Sequence, residues 1–343
     1  MKIGIMTFHW ATNYGAVLQA YCLQKYLEEQ GHDVEIIDYK PKTYDTTWRN
    51  FLIHPSNWRM FRKFINKYKK ERLLRSFRSY YLHCSKRYLS TASIKSAAPD
   101  YDILISGSDQ IFNPTFTIRG EGKPTSAYYL QFGKDDALRL GYAVSFGCTS
   151  YPKDAGSYAS EWLKGFRKIG VRETSGLDIL DSLEYRGYKE VVPDPTILYG
   201  NKMFDKIAIP GIKVSDYVCV YMLRRELNIN YERVVYIDET QRVYSLEEWL
   251  GYIKHSNGLI TNSYHGMIMA ILMHVPFVAL LESGAKVGMN DRFTTLLNWL
   301  GLTSRISYDT NQLMSKLEEN INWELVDSRV NDYRQVGMNY LKI

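Results

Sequence analysis

Three side chains in this sequence stand where an ionisable group could do chemistry: Asp109, Arg172 and His265. Each follows a short apolar run and is flanked by small polar residues, the pattern of a strand reaching the edge of a sheet. His265 lies in Asn262-Ser263-Tyr264-His265-Gly266-Met267, between apolar residues 259–261 and an apolar run that extends to residue 274. This predicts a strand, a tight turn through Ser263, Tyr264 and Gly266, and a helix for which Ser263 and Asn262 are cap candidates. A helix start offers unpaired N–H groups and a positive dipole end, so a phosphate or carboxylate is stabilised there. A histidine in that first turn can donate to the anion or carry a proton near neutral pH. It can equally be a packing or capping residue at an ordinary junction.

Arg172 ends the run Ile169-Gly170-Val171, just before a helix predicted over residues 174–183 whose start, Thr174-Ser175-Gly176-Leu177-Asp178, resembles a capping box. A guanidinium there can hold a carboxylate through two parallel hydrogen bonds, or serve as a rim charge. Asp109 follows Ile103-Leu104-Ile105-Ser106-Gly107-Ser108, so Ser108 and Asp109 belong to a glycine-led loop at a strand end. Asp109 is an acid–base candidate, with capping of neighbouring amides as the structural alternative. The first turn of the chain, Asn13-Tyr14-Gly15-Ala16, adds two binding candidates, Asn13 and Gly15. Gly15 permits close approach to the backbone, but one glycine in place of GxGxxG is no dinucleotide fingerprint.

These groups need a scaffold that brings strand ends together. Residues 2–8, 33–39, 100–106, 138–144, 169–173 and 191–196 read as strands, with a helix over 17–30 closed by Gly31. The strand–helix alternation predicts a doubly wound parallel sheet, in which ligands bind at the carboxyl ends of strands. The Gly/Pro-bearing stretch 200–211 reads as a linker. A second α/β series follows, with strands at 216–222 and 234–237, a helix over 245–255, the unit around His265, and a strand at 276–281. A helix over 290–302 begins near Arg292 and closes at Gly301, and the remainder reads as helical. The expected domains are residues 1–205, carrying a basic helical insertion near 41–98, and residues 206–343, carrying the Ser-Tyr-His-Gly turn and the C-terminal helices.

At 343 residues, 45% hydrophobic and 23% charged, the chain suits a globular protein of roughly two domains. Cys22, Cys84, Cys148 and Cys219 form no CxxC pair or Cys/His cluster, so neither a metal site nor a disulfide framework is expected. Free thiols and an N-terminus too short in apolar residues for a signal peptide predict a cytoplasmic protein, and no apolar run approaches the ~18 residues of a membrane span. The net charge of +6 suits anionic substrates or a membrane surface, and no nucleic-acid motif accompanies it. In the basic stretch 58–70, Met60, Phe61, Phe64, Ile65 and Tyr68 fall at helical spacing. Such a helix could lie on an anionic bilayer or pack one face on its own domain.

Residues 8–20 (FHWATNYGAVLQA), 101–114 (YDILISGSDQIFNP), Val171-Arg172-Glu173, Pro193-Asp194-Pro195-Thr196, 262–267 (NSYHGM) and 292–302, in this order, resemble the motif series of the polysaccharide pyruvyl transferase family. The resemblance covers nearly the whole chain. It implies a GT-B-like α/β fold of two Rossmann-like domains facing across a cleft, and phosphoenolpyruvate as donor with no other cofactor. It further implies a pyruvate ketal formed on a sugar of a bacterial capsular or exopolysaccharide precursor, free or lipid-linked. A lipid-linked acceptor would bring the protein to the inner face of the membrane, where residues 58–70 could make a peripheral contact. The family's donor site uses an arginine that matches Arg172 and a histidine that matches His265. In several members an Arg-Leu precedes that histidine where this chain has Ser263-Tyr264, so the anion contact must come from elsewhere, and Arg292 is the candidate. The chemistry itself requires cations for a carboxylate and a phosphate, plus an acid and a base, for which His265 and Asp109 are nearest by motif. A GT-B glycosyltransferase using a nucleotide sugar and a non-catalytic glycan- or membrane-binding module are the alternatives. The latter would not need Arg172 and His265 to converge.

Overall fold

The computed structural model describes residues 1–44, 58–237, 242–282 and 290–343. The chain opens with strand β1 (Lys2–Met6), helix α1 (Tyr14–Glu29) and strand β2 (Asp33–Ile36), the two strands pairing in parallel. Asn13 caps α1 by accepting from the Ala16 N–H at 3.2 Å, so the helix begins at Tyr14 and not at Val17. Helices α2 (Trp58–Tyr81) and α3 (Thr91–Ala97) lead to β3 (Ile103–Ser106). Then come α4 (Pro114–Arg119), β4 (Leu138–Val144), α5 (Lys153–Leu163), β5 (Lys168–Val171), α6 (Ser175–Ser182) and β6 (Tyr188–Val191). The six strands form one parallel sheet in the order β2-β1-β3-β4-β5-β6. Strand β3 is buried throughout, as parallel strands with covered faces must be.

Short helices α7 (Pro195–Tyr199) and α8 (Lys202–Lys206) lead to the second sheet. The stretch expected as a linker thus contains a helix, and its Met203 is buried in the core. Next in the chain are β7 (Val218–Tyr221), β8 (Val234–Tyr236), α9 (Leu246–Lys254), β9 (Gly258–Thr261), α10 (Tyr264–Leu272) and β10 (Phe277–Leu280). The chain ends with α11 (Asp291–Leu300), β11 (Ile306–Ser307), α12 (Leu313–Glu318) and α13 (Trp323–Tyr340). These five strands are also parallel, in the order β11-β10-β9-β7-β8. Strand β11 lies where the pattern reads as helical, because two residues are too few to show a period.

Helix α13, expected with the C-terminal domain, packs on both halves. Arg329 Nη1 donates to Leu300 O at 2.8 Å, whereas the Tyr340 hydroxyl donates to Gly141 O of β4 at 2.7 Å and Arg334 Nε to Ile197 O at 3.0 Å. The inserted helix α2 buries Asn66, Lys70, Leu74 and Phe77 along one stripe, with Phe77 against Tyr21 of α1 and Lys70 Nζ 3.9 Å from the Tyr14 ring. Its other face exposes Arg62, Lys67, Tyr68, Lys69, Arg72 and Arg75. The apolar set expected to share a face is therefore split: Tyr68 is exposed, Phe64 and Ile65 are half-buried, and Met60 and Phe61 lie outside the described side chains. Among the described residues no helix is long and apolar enough to cross a membrane.

Candidate active site

Strand order reverses between β1 and β3 in the first sheet and between β7 and β9 in the second, and at such points diverging loops leave a crevice at the carboxyl ends of strands. The loops after β1, β3, β5 and β6 meet the turn after β9 there. Arg172 follows β5, anchored by its N–H donating to Val144 O at 3.0 Å, and its side chain is 1% exposed. Asp194 Oδ2 lies 3.2 Å from Nη1, Glu173 Oε2 3.7 Å from Nε and Asp109 Oδ1 3.8 Å from Nη2. Of these only the Asp194 contact is a hydrogen bond; among the described residues Nε and Nη2 have no hydrogen-bond partner. Burial opposes the charge on Arg172, but Glu173, Asp194 and Asp109 outweigh it and hold the guanidinium charged.

Asp194 joins the cluster together, and the sequence reading gave it no role. Its Oδ1 caps α7, accepting from the Thr196 N–H at 3.0 Å and the Thr196 hydroxyl at 2.7 Å. Its Oδ2 accepts from the Ser108 hydroxyl at 3.0 Å and from Arg172, and lies 3.4 Å from His265 Nε2. That last contact is electrostatic, since among the described residues Nε2 makes no aligned hydrogen bond. The available signal is Asp followed by Pro, an N-cap with proline in the first turn, set within residues 191–196 that read as a strand. Burial by itself would raise the Asp194 pKa, but His265 and Arg172 overcome it and keep this carboxyl well below the usual range. Its contribution to stability is therefore full above about pH 4 and is lost as pH falls through the lower folded-state value. Chemical denaturation should show Asp194→Asn less stable than wild type by about 3–5 kcal/mol near neutrality. The gap should narrow below about pH 4, and a gap constant to about pH 3 would contradict this account.

Helix α10 starts at the predicted turn, with Ser263 Oγ accepting from the Gly266 N–H at 3.2 Å. Asn262 takes no part in the cap. Its Oδ1 accepts from the Leu223 N–H at 2.6 Å and its Nδ2 donates to the Leu223 carbonyl at 3.0 Å, tying the turn to the segment after β7. His265, in the first turn, is 7% exposed. The neighbour that comes close to Gly15 is this imidazole: a Cβ on Gly15 would stand 2.1 Å from Nδ1 and 2.3 Å from Cγ. Gly15→Ala must therefore push the ring or separate α1 from α10. It should lower stability by about 1–3 kcal/mol, a drop in the denaturation midpoint that an unchanged midpoint would refute.

Tyr264 lies between two cations, with Arg172 Cζ 4.8 Å and Arg292 Cζ 5.6 Å from its ring centroid. Arg292 Nε also lacks a hydrogen-bond partner among the described residues, and burial followed by the charge of Arg172 lowers the Arg292 pKa. Asp109 adopts φ +75°, unusual for a residue with a side chain, and is held by Ser145 N–H donating to its carbonyl at 3.0 Å. Its Oδ1 accepts from the Gln110 N–H at 2.9 Å, so capping and the contact with Arg172 coexist. Thr174 makes no capping box. The Ser175 N–H instead donates to Asp291 Oδ2 of α11 at 2.9 Å, and the Thr174 N–H to Thr295 Oγ1 at 3.2 Å. Caps supplied from a distant helix leave no local pattern to read. The structure thus joins Asp109, Arg172, Ser108, Tyr264, His265 and Arg292 through Asp194 and Tyr264, while the oxygens of Asn13 and Ser263 are engaged as helix caps.

Two parallel sheets meeting at their ligand crevices define an α/β protein of the GT-B-like class. The chain belongs to the polysaccharide pyruvyl transferase family, whose model matches residues 13–284. No match is found among curated proteins. Among solved structures it is similar to UDP-GlcNAc 2-epimerase from Methanocaldococcus jannaschii, at 9% identity over 99% of both chains with a TM-score of 0.48. It is also similar to UDP-GlcNAc 2-epimerase from Neisseria meningitidis bound to UDP-GlcNAc, at 9% identity over 98% of this chain and 94% of that one, TM-score 0.47. A third likeness is to Arabidopsis thaliana UGT89C1 complexed with UDP-L-rhamnose, at 10% identity over 99% and 94%, TM-score 0.46.

Proposed function

We propose that this protein transfers the enolpyruvyl group of phosphoenolpyruvate to a sugar of a cell-surface glycan precursor, closing a pyruvate ketal and releasing phosphate. Family membership supports the transfer of pyruvyl groups to a polysaccharide. The observation that carries the donor is the set of buried N–H groups without a partner among the described residues, Arg172 Nε and Nη2 and Arg292 Nε, gathered beside His265. Such donors suit a small molecule bearing both a carboxylate and a phosphate, and the α10 N-terminus adds to the same field. In this reading Arg172 holds one anionic group and Arg292 the other, in the place of the arginine that precedes the histidine in other members. His265, with Asp194 beside it, accepts the proton of the attacking sugar hydroxyl, and Asp109 is the second acid–base group. Incubation with phosphoenolpyruvate and a panel of free and lipid-linked glycans should release phosphate and add the mass of a pyruvate ketal. Turnover of a nucleotide sugar in its place would favour the glycosyltransferase alternative.

For a lipid-linked acceptor, the exposed basic face of α2 supports docking on an anionic bilayer. Each cation near such a surface contributes about 1 kcal/mol and is screened by salt. Vesicles rich in anionic lipid should sediment the protein at low salt and release it at high salt. Reversing Arg72 and Arg75 to glutamate should abolish the binding, and undiminished binding would leave α2 with its packing role alone.

A further inference from the structure

Of the three carboxylates around Arg172, Glu173 is the one with no task in the reading above. It is 4% exposed, and its Oε1 accepts from the Phe146 N–H at 3.3 Å. Its Oε2 lies 3.7 Å from Arg172 Nε and has no hydrogen-bond partner among the described residues. One oxygen is anchored, and the other sits beside the donors assigned to phosphoenolpyruvate. The ionisable groups that act on Glu173 are Arg172, Arg292 and Asp291, with Cys148, Tyr264 and Tyr333 also within its field.

The charge balance of the cluster then decides what happens when the donor arrives. Asp194, Asp109 and Glu173 already surround one guanidinium, and phosphoenolpyruvate adds a carboxylate and a phosphate to the same place. Like charges brought together out of water are relieved by protonating one of them. Asp194 is held anionic by His265 and Arg172, whereas burial already pushes the Glu173 carboxyl above its ordinary range.

Building on the donor reading, we propose that Glu173 takes up a proton as phosphoenolpyruvate binds and delivers it to C3 of the enol. The C2–C3 π pair forms the new C–H bond, Glu173 is left as carboxylate, and C2 becomes a cation stabilised by its ester oxygen. The first sugar hydroxyl bonds to C2 and gives its proton to His265. The second bonds to C2 as the bond from C2 to the phosphate oxygen breaks, with Asp109 taking its proton and passing it to the departing phosphate. His265 returns its proton to solvent, and Glu173 takes its next one with the next donor, so the protons balance.

Calorimetric titration with phosphoenolpyruvate alone, in buffers of different ionisation enthalpy near neutral pH, reads the protons taken up per donor bound. Wild type should take up about one proton more than Glu173→Gln, which should bind the donor at least as tightly because a negative charge beside Arg172 is gone. With the acceptor found in the glycan panel, turnover of Glu173→Gln should fall by about 10²- to 10⁴-fold. Equal proton uptake by wild type and Glu173→Gln overturns this role while leaving the donor reading intact, and failure of wild type to bind phosphoenolpyruvate overturns both. Should the glutamine variant fail to fold, Glu173→Met, similar in length and unable to titrate, reads the same difference.

Discussion

Arg172→Ala should weaken phosphoenolpyruvate binding by about 2–4 kcal/mol, roughly 30- to 1000-fold, the expected loss when one side of a buried charged hydrogen bond is removed. Arg172 is 1% exposed and offers two nitrogens that no group among the described residues accepts from, so binding strength concentrates there. The same substitution should destabilise the fold by about 3–5 kcal/mol, because Asp194 and Glu173 would be left as buried carboxylates, and Asp109 as a partly buried one, without their cation. Arg172→Lys separates the two effects. It keeps a positive charge among the carboxylates but loses the planar fork, so stability should largely return while donor affinity stays reduced. Calorimetry for the donor and chemical denaturation for the fold measure each part, and wild-type donor affinity in Arg172→Ala would remove Arg172 from the site.

His265→Asn should fold normally, keep much of its donor affinity and lose kcat by about 10²- to 10⁴-fold, the range for general acid–base groups. The fold should tolerate the change because Asp194 retains Ser108, Thr196 and Arg172 as partners. Asparagine approximates the size and hydrogen bonding of the imidazole against Gly15 but cannot carry a proton near neutrality. Steady-state kinetics with phosphoenolpyruvate and the acceptor test this directly. A folded His265→Asn enzyme with near-normal kcat would transfer the proton-handling role to Asp109.

The α/β alternation, the apolar strands and the turns at their carboxyl ends can all be read from the amino-acid sequence. So can the turn that places His265 in the first turn of α10, with Ser263 as one of two cap candidates, because caps and periodicity act within about one helical turn of the residue concerned. The sequence could place Arg172, Asp109 and His265 each at a strand end, yet it could not show which partner each would meet. Asp194 touches Arg172, Ser108 and His265, which follow three different strands, and that meeting exists only once the two sheets dock. The same holds for the α6 N-terminus, capped by Asp291 of α11 and not by Thr174, and for Gly15, whose close neighbour is a histidine from the other sheet. Helix α13 follows the second sheet in the chain, yet its Tyr340 bonds to β4 of the first. Contacts of this kind depend on how buried surfaces fit across the chain, and the loss of chain freedom in closing them grows only slowly with separation, so no local pattern records them.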